Sequence, residues 1–252
     1  MEQAIRNPSA EFVRVPVRPG QCLEQGWSLV RDQYWLFLGI ALVGMLIGGA
    51  FPLLLMGPMM CGIYICFLQK LRGEPVQFET LFRGFDHFVQ SLVATLVTMG
   101  ASFLVIFPVV MIGIALIFFG VFSMAEMQDA SGCLVLGGSI ALFYLLIFAA
   151  ALVVGTVFLF AYPLIADRGL GGWEAVTTSA RAVWANFGGV LGLVLLESLL
   201  SLAGVMACYV GVFLVMPVVL GATAIAYRKI FPAPAAAQAA PPPVQPAAPP
   251  AL

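Results

Sequence analysis

The sequence predicts an all-α fold, a polytopic transmembrane helical bundle of about six spans with amphipathic interfacial helices, and three observations predict it. Hydrophobic residues make up 62% of the chain and charged residues 9%, with a mean hydropathy of +1.05, whereas about a quarter of a soluble domain is charged. The apolar residues form continuous runs rather than the short alternating segments of barrel strands, and lipid accepts such runs only as helices, which pair their backbone groups internally. All eleven basic residues fall in four places between the runs: Arg6–Arg31, Lys70–Arg83, Arg168–Arg181 and Arg228-Lys229. Loops rich in Lys and Arg stay cytoplasmic, so these four belong to one side of an inner membrane, with both termini cytoplasmic. A net charge of −1 suggests no nucleic-acid partner.

Residues 1–20 are polar, rich in Pro and Arg, and read as a flexible cytoplasmic arm. From Gln21 to Gln33 the positions Leu23, Trp27, Val30 and then Tyr34 recur at helical spacing, which predicts a helix lying in the interface. Nothing before Tyr34 resembles the apolar core of a cleavable signal peptide, so the first hairpin serves as its own insertion signal. That hairpin, Trp35–Lys70, carries no charge before Lys70 and turns around Gly48-Gly49-Ala50-Phe51-Pro52.

Phe78, Leu81, Phe82, Phe85 and Phe88 then fall on one helical stripe, with Glu79, Arg83 and Asp86 between them. This predicts a second interfacial helix, its aromatic side anchored at headgroup depth. Val89–Met124 reads either as one long helix kinked at Pro108 or as two short crossings. Residues 125–132 are acidic, which favours an outer turn and six spans over an eight-span version. Cys133–Ala166 reads as one tilted span ending at Tyr162-Pro163. Trp173, Val176, Ala180, Val183, Trp184 and Phe187 line a third interfacial helix, and a final hairpin occupies Gly188–Ile230. Three units follow: the arm 1–20, a transmembrane domain 21–231, and a disordered Pro/Ala-rich cytoplasmic tail 232–252, whose composition buries nothing.

The two outer hairpins align as an internal parallel repeat. Tyr34 matches Phe187 and Gly39 matches Gly192; with about six extra residues in the second copy, Pro58 matches Pro217, Gly62 matches Gly221 and Lys70 matches Lys229. A tryptophan-bearing amphipathic helix precedes each copy, and duplication of this kind is common in membrane folds.

Gly26-Trp27, Gly57-Pro58 with Gly62, the loop Arg72-Gly73-Glu74-Pro75 with Leu81-Phe82-Arg83-Gly84-Phe85, and Tyr162–Arg168 with Ala175, Ser179 and Arg181 carry a resemblance. Over residues 21–231 the chain resembles a group of bacterial integral membrane proteins of unknown function, similar to the membrane-anchor domain of some glycerophosphodiester phosphodiesterases. The resemblance implies a bundle of about six spans and brings no active-site residues; the hydrolase domain itself is absent.

Glu197, in LGLVLLESLLSLAG, is the outstanding candidate for chemistry. An acidic residue at the centre of a span costs about 2.5–3.5 kcal/mol to insert, so it should face protein or water. It reads either as a proton, cation or substrate site, with Ser198 and Ser201 beside it, or as a carboxyl hydrogen-bonded to Ser198, Ser201, Thr95, Thr98 or Thr156 to hold helices together. Lys70, Arg72, Arg83, Arg168 and Arg181 are candidate contacts for lipid headgroups, since juxtamembrane cations attract anionic lipid; the same charges also set topology. The five cysteines form no C-x-x-C pair, and the single histidine, His87, stands without companion metal ligands. No cofactor is implied, and no G-x-S-x-G, phosphate-loop or H-E-x-x-H motif points to an enzyme. The expected function is therefore a non-enzymatic scaffold or accessory factor that engages lipid, or a protein partner through its Pro-rich tail; the alternative is a small transporter or channel using Glu197.

Overall fold

In the computed structural model, residues 12–127, 130–206 and 210–232 are described, and among them there is no strand. Helix α1 (Pro19–Val30) passes through a single 3-10 turn into α2 (Tyr34–Ala50), and α3 (Met56–Leu71) returns beside it. A 3-10 helix (Phe78–His87) leads into α4 (Phe88–Met127) and α5 (Ala130–Val157). Then follow α6 (Ala161–Arg168), α7 (Gly172–Ala185), α8 (Phe187–Met206) and α9 (Val210–Ile230).

Five segments are long and apolar enough to cross a membrane: Pro19–Ala50, Phe78–Glu126, Ser131–Arg168, Phe187–Met206 and Val210–Ile230. With α3, which returns beside α2 and brings Lys70 back to Gln33, they make the all-α bundle of about six apolar helices that the sequence predicts. α3 is the short one: its 16 residues make a rod of about 24 Å at 1.5 Å per residue, less than a hydrocarbon core of about 30 Å. Its length is tolerated because it lies inside the bundle, packed against α2, α4, α6, α9 and the 3-10 helix. Met59, Ile63, Cys66 and Phe67 are fully buried, and Phe67 meets Phe37 of α2 at 4.8 Å between ring centroids.

Val89–Met124 lies within one helix, α4. The 40 residues of α4 run through Pro108 for about 60 Å, and α5 packs along it as the most closely engaged pair in the fold. Gly113 receives the ring of Phe143, and Gly120 lies against Leu136. The outer faces of this pair, with Phe103, Leu104, Phe118, Phe119, Phe122, Leu134, Tyr144 and Leu145, are exposed, a surface suited to hydrocarbon rather than water.

The interfacial helices present two apolar sides. In α1 the buried residues are Cys22, Gly26 and Val30, and Trp27 faces away; in α7 the buried residues include Ala175, Ser179, Ala182 and Val183, and Trp173 and Trp184 face away. Only the tryptophans of the two sequence stripes, Trp27, Trp173 and Trp184, face outward; the stripe residues Val30, Val176 and Val183 are buried, and they meet the bundle together with small residues, which allow close approach. At Gly26 a Cβ would fall 2.6 Å from the backbone nitrogen of Ala222 in α9, and at Gly84 a Cβ would overlap the backbone of Pro58 and Gly62 in α3.

The described part of the arm, from residue 12 on, is hydrogen-bonded to the bundle. The backbone nitrogen of Val13 donates to the carbonyl of Ile230 at 2.9 Å, that of Val15 donates to Asn186 Oδ1 at 2.9 Å, and Asn186 Nδ2 donates to the carbonyl of Val13 at 3.4 Å. The asparagine supplies the donor and acceptor that a neighbouring strand would, so the extended segment needs no sheet. Residues 1–11 of the arm and the tail from 233 onward lie outside the described residues.

Candidate functional site

The charged side chains gather where α3, α6 and α9 end. Helix α6 stops at Gly169, which takes the left-handed conformation (φ 62°) that glycine adopts without a Cβ penalty, so Asp167 and Arg168 occupy its last turn. Asp167, with 4% of its side chain exposed, accepts from Arg228 at both oxygens, 2.8 and 3.0 Å, and from the hydroxyl of Tyr227 at 2.9 Å. Arg72 Nη1 approaches it at 3.5 Å while Arg72 Nε holds Glu74 at 2.9 Å. One buried carboxylate thus ties together the ends of α3, α6 and α9, in the two-pronged geometry that makes arginine–carboxylate pairs strong.

Arg168 packs beside this knot, half-buried. Its guanidinium lies 5.3 Å from the centroid of the Phe231 ring and donates to the carbonyl of Pro232 at 3.0 Å. Lys70 reaches Gln33 at 3.3 Å. Arg181 is exposed on α7. Of the five basic residues singled out from the sequence, Arg72 and Arg83 share one cleft, and Lys70, Arg168 and Arg181 do not line it.

That cleft, about 270 Å³, is lined by Gln69, Arg72, Glu74, Arg83, Asp86 and His87, floored by Ile65 and Ala166. The amphipathic helix expected over this stretch forms its far wall as a 3-10 helix, and a period of three residues stacks side chains at i and i+3. Leu81 and Gly84 are buried against α3, Phe82 and Phe85 form an exposed aromatic edge, and Arg83 and Asp86 form the polar edge between. Close contact of Gly84 with Gly62 lets this helix lie flat on α3 and brings Arg83 and Asp86 level with Gln69 and Arg72. Gln69 Oε1 is buried and has no hydrogen-bond partner in the protein.

Glu197 lies elsewhere, inside the bundle and 6% exposed. Its Oε1 accepts from Thr223 Oγ1 of α9 at 3.1 Å, and Tyr64 of α3 stands against the same threonine. None of the expected serine or threonine partners makes this bond. Ser198 Oγ donates instead to the carbonyl of Val194 at 2.7 Å, Thr156 to that of Leu152 at 2.6 Å, and Thr95 to that of Ser91 at 2.8 Å. A hydroxyl one turn from a carbonyl of its own helix satisfies itself locally, which leaves the carboxyl to a residue across the hairpin.

Thr223, Gln69 and the linchpin role of Asp167 escaped the sequence reading. A lone threonine or glutamine in an apolar run carries no spacing signal, and beside Asp167 the sequence drew notice to Arg168, as a candidate headgroup contact. Comparison with protein-family models, with curated proteins and with solved structures returns no match to this chain.

Proposed function

We propose that this chain is a non-enzymatic inner-membrane protein, an accessory or scaffold protein that holds membrane lipid at its charged, cytoplasmic face. The observation that carries this reading is the cleft beside the 3-10 helix, where Arg72 and Arg83 converge next to an exposed aromatic edge, Phe82 and Phe85. Aromatic rings of this kind settle at headgroup depth, so the arginines at the same level meet phosphates. The exposed Trp27, Trp173 and Trp184 extend the same belt around α1 and α7. A likeness to a membrane-anchor domain is compatible with this role, and the Pro-rich tail is proposed to carry a protein partner.

The internal repeat belongs to this reading as well. The matched glycines Gly62 and Gly221 each receive a glycine of an amphipathic helix, Gly84 and Gly26 respectively, and this supports a common origin for the two hairpins.

The test is lipid retention. The full chain, extracted in detergent and analysed by native mass spectrometry, should carry bound phospholipid, and the double variant Arg72→Gln/Arg83→Gln should lose it while remaining folded. Full-length protein carrying no lipid beyond the detergent background would overturn the reading. The alternative, a transporter using Glu197, is favoured by one observation, the burial of that carboxyl between α3, α8 and α9. Proton or solute flux into proteoliposomes that Glu197→Gln abolishes would establish it in place of the scaffold.

A further inference from the structure

We propose that the cleft formed by Gln69, Arg72, Glu74, Arg83, Asp86 and His87 takes a zwitterion of phosphate and primary ammonium, the phosphoethanolamine headgroup of a membrane lipid. The inference rests on the lipid reading above and names the headgroup. Four of the six lining side chains carry charge, and they balance: Arg72 and Arg83 against Glu74 and Asp86. A purely anionic group would meet two carboxylates in the same cleft as its arginines, and like charges brought together across an interface are penalised. A headgroup with separated positive and negative ends suits such a lining.

Two details assign the ends. Arg72 has Nε and Nη1 occupied by Glu74 and Asp167, whereas Arg83 and Asp86 have no ion-pair partner among the described residues. The phosphate therefore falls to Arg83, with the remaining nitrogen of Arg72, and the ammonium to Asp86. Gln69 Oε1 is buried without a donor, a state that costs desolvation energy until a hydrogen bond is supplied. A primary ammonium brings three N–H donors; a phosphate brings none, and a choline group brings none either. The cleft thus distinguishes ethanolamine from choline by a hydrogen bond and from an anionic headgroup by charge. Its volume of about 270 Å³ lies just below the range of drug-sized pockets, and suits a headgroup whose acyl chains stay outside, beside Phe82 and Phe85.

The experiment uses the full chain in nanodiscs of phosphatidylethanolamine, phosphatidylglycerol and phosphatidylcholine in equal parts, followed by native mass spectrometry of retained lipid. Phosphatidylethanolamine should be enriched, and Arg83→Gln, Asp86→Asn and Gln69→Leu should each lower its retention about tenfold, the loss of one charge-assisted or buried hydrogen bond. Arg83 and Asp86 are exposed, so their variants should unfold at the wild-type temperature, and Arg83→Lys should restore part of the retention. Enrichment of phosphatidylglycerol, unaffected by Asp86→Asn, overturns the zwitterion and leaves the lipid reading standing. Equal retention of all three lipids overturns it likewise. Retention of no lipid overturns the lipid reading itself. A titration with O-phosphoethanolamine separates the sources: it should displace the retained lipid only at high excess, and tight binding of the soluble compound with no lipid retained would assign the cleft to a soluble ligand.

Discussion

Asp167 and Arg228 meet in a two-pronged ion pair, 2.8 and 3.0 Å long, with only 4% and 17% of their side chains exposed. Removing one partner of so enclosed a pair strands the other charge, which typically costs 3–5 kcal/mol. Asp167→Ala should therefore lower stability in detergent by about 3 kcal/mol. Arg72→Ala, whose side chain is 43% exposed, should cost no more than about 1 kcal/mol. Denaturant unfolding of Asp167→Ala, Arg228→Ala and the double variant gives the coupling; equal losses from Asp167→Ala and Arg72→Ala would show that the knot is not centred on Asp167.

The glycine seats predict a steep positional contrast. Gly62→Ala and Gly84→Ala place a methyl group into the backbone of the facing helix, and overpacking of this kind costs about 1–3 kcal/mol. Gly100, in α4, has open space around its Cα, so Gly100→Ala should be neutral or stabilising by up to about 1 kcal/mol. Melting curves of the three variants decide it, and a tolerated Gly84→Ala would mean that the 3-10 helix does not rest on α3.

Thr223→Val keeps the shape of the side chain and deletes the donor to Glu197. A buried acceptor deprived of its partner costs about 1–3 kcal/mol, and that loss should be read in the unfolding midpoint. Thr223→Ser retains the hydroxyl and should recover most of it. Ser198→Ala, whose hydroxyl bonds only its own helix, should be close to wild type.

Cys133 is exposed, and Cys22, Cys61 and Cys66 are buried. In a Cys208→Ser background, a membrane-impermeant maleimide should modify Cys133 alone. Labelling of intact cells from outside is expected if the α4–α5 turn faces away from the cytoplasm; labelling only of inverted vesicles would reverse the proposed topology.

The rods of this fold were legible in the sequence because a lipid core enforces length and apolarity on whatever faces it. α3 was not legible as the short one, since Met59, Ile63 and Phe67 look the same whether protein or lipid surrounds them. The period of the 78–88 stripe was ambiguous for a physical reason: Phe82 and Phe85 are three apart, a spacing that suits a 3-10 helix as well as an α-helix. In the candidate site the basic residues were visible by type, but their sharing of one cleft depends on the Gly62–Gly84 contact, which closes only in three dimensions. The partner of Glu197 had a faint signal: the offset that pairs Pro58 with Pro217 also pairs Tyr64 with Thr223, and both matched residues stand at this carboxyl.

The length of α4 has a mechanical consequence. A rod of about 60 Å fits within a core of about 30 Å only at a tilt near 60°, well beyond the 0–40° that membrane helices adopt. The surplus is expected to be taken up by bilayer deformation around the hairpin's exposed Phe118, Phe119 and Phe122. Each ångström of mismatch carries a fraction of a kcal/mol, so the elastic energy of this protein depends on the thickness of the bilayer that holds it, and membranes of different thickness are unequal hosts.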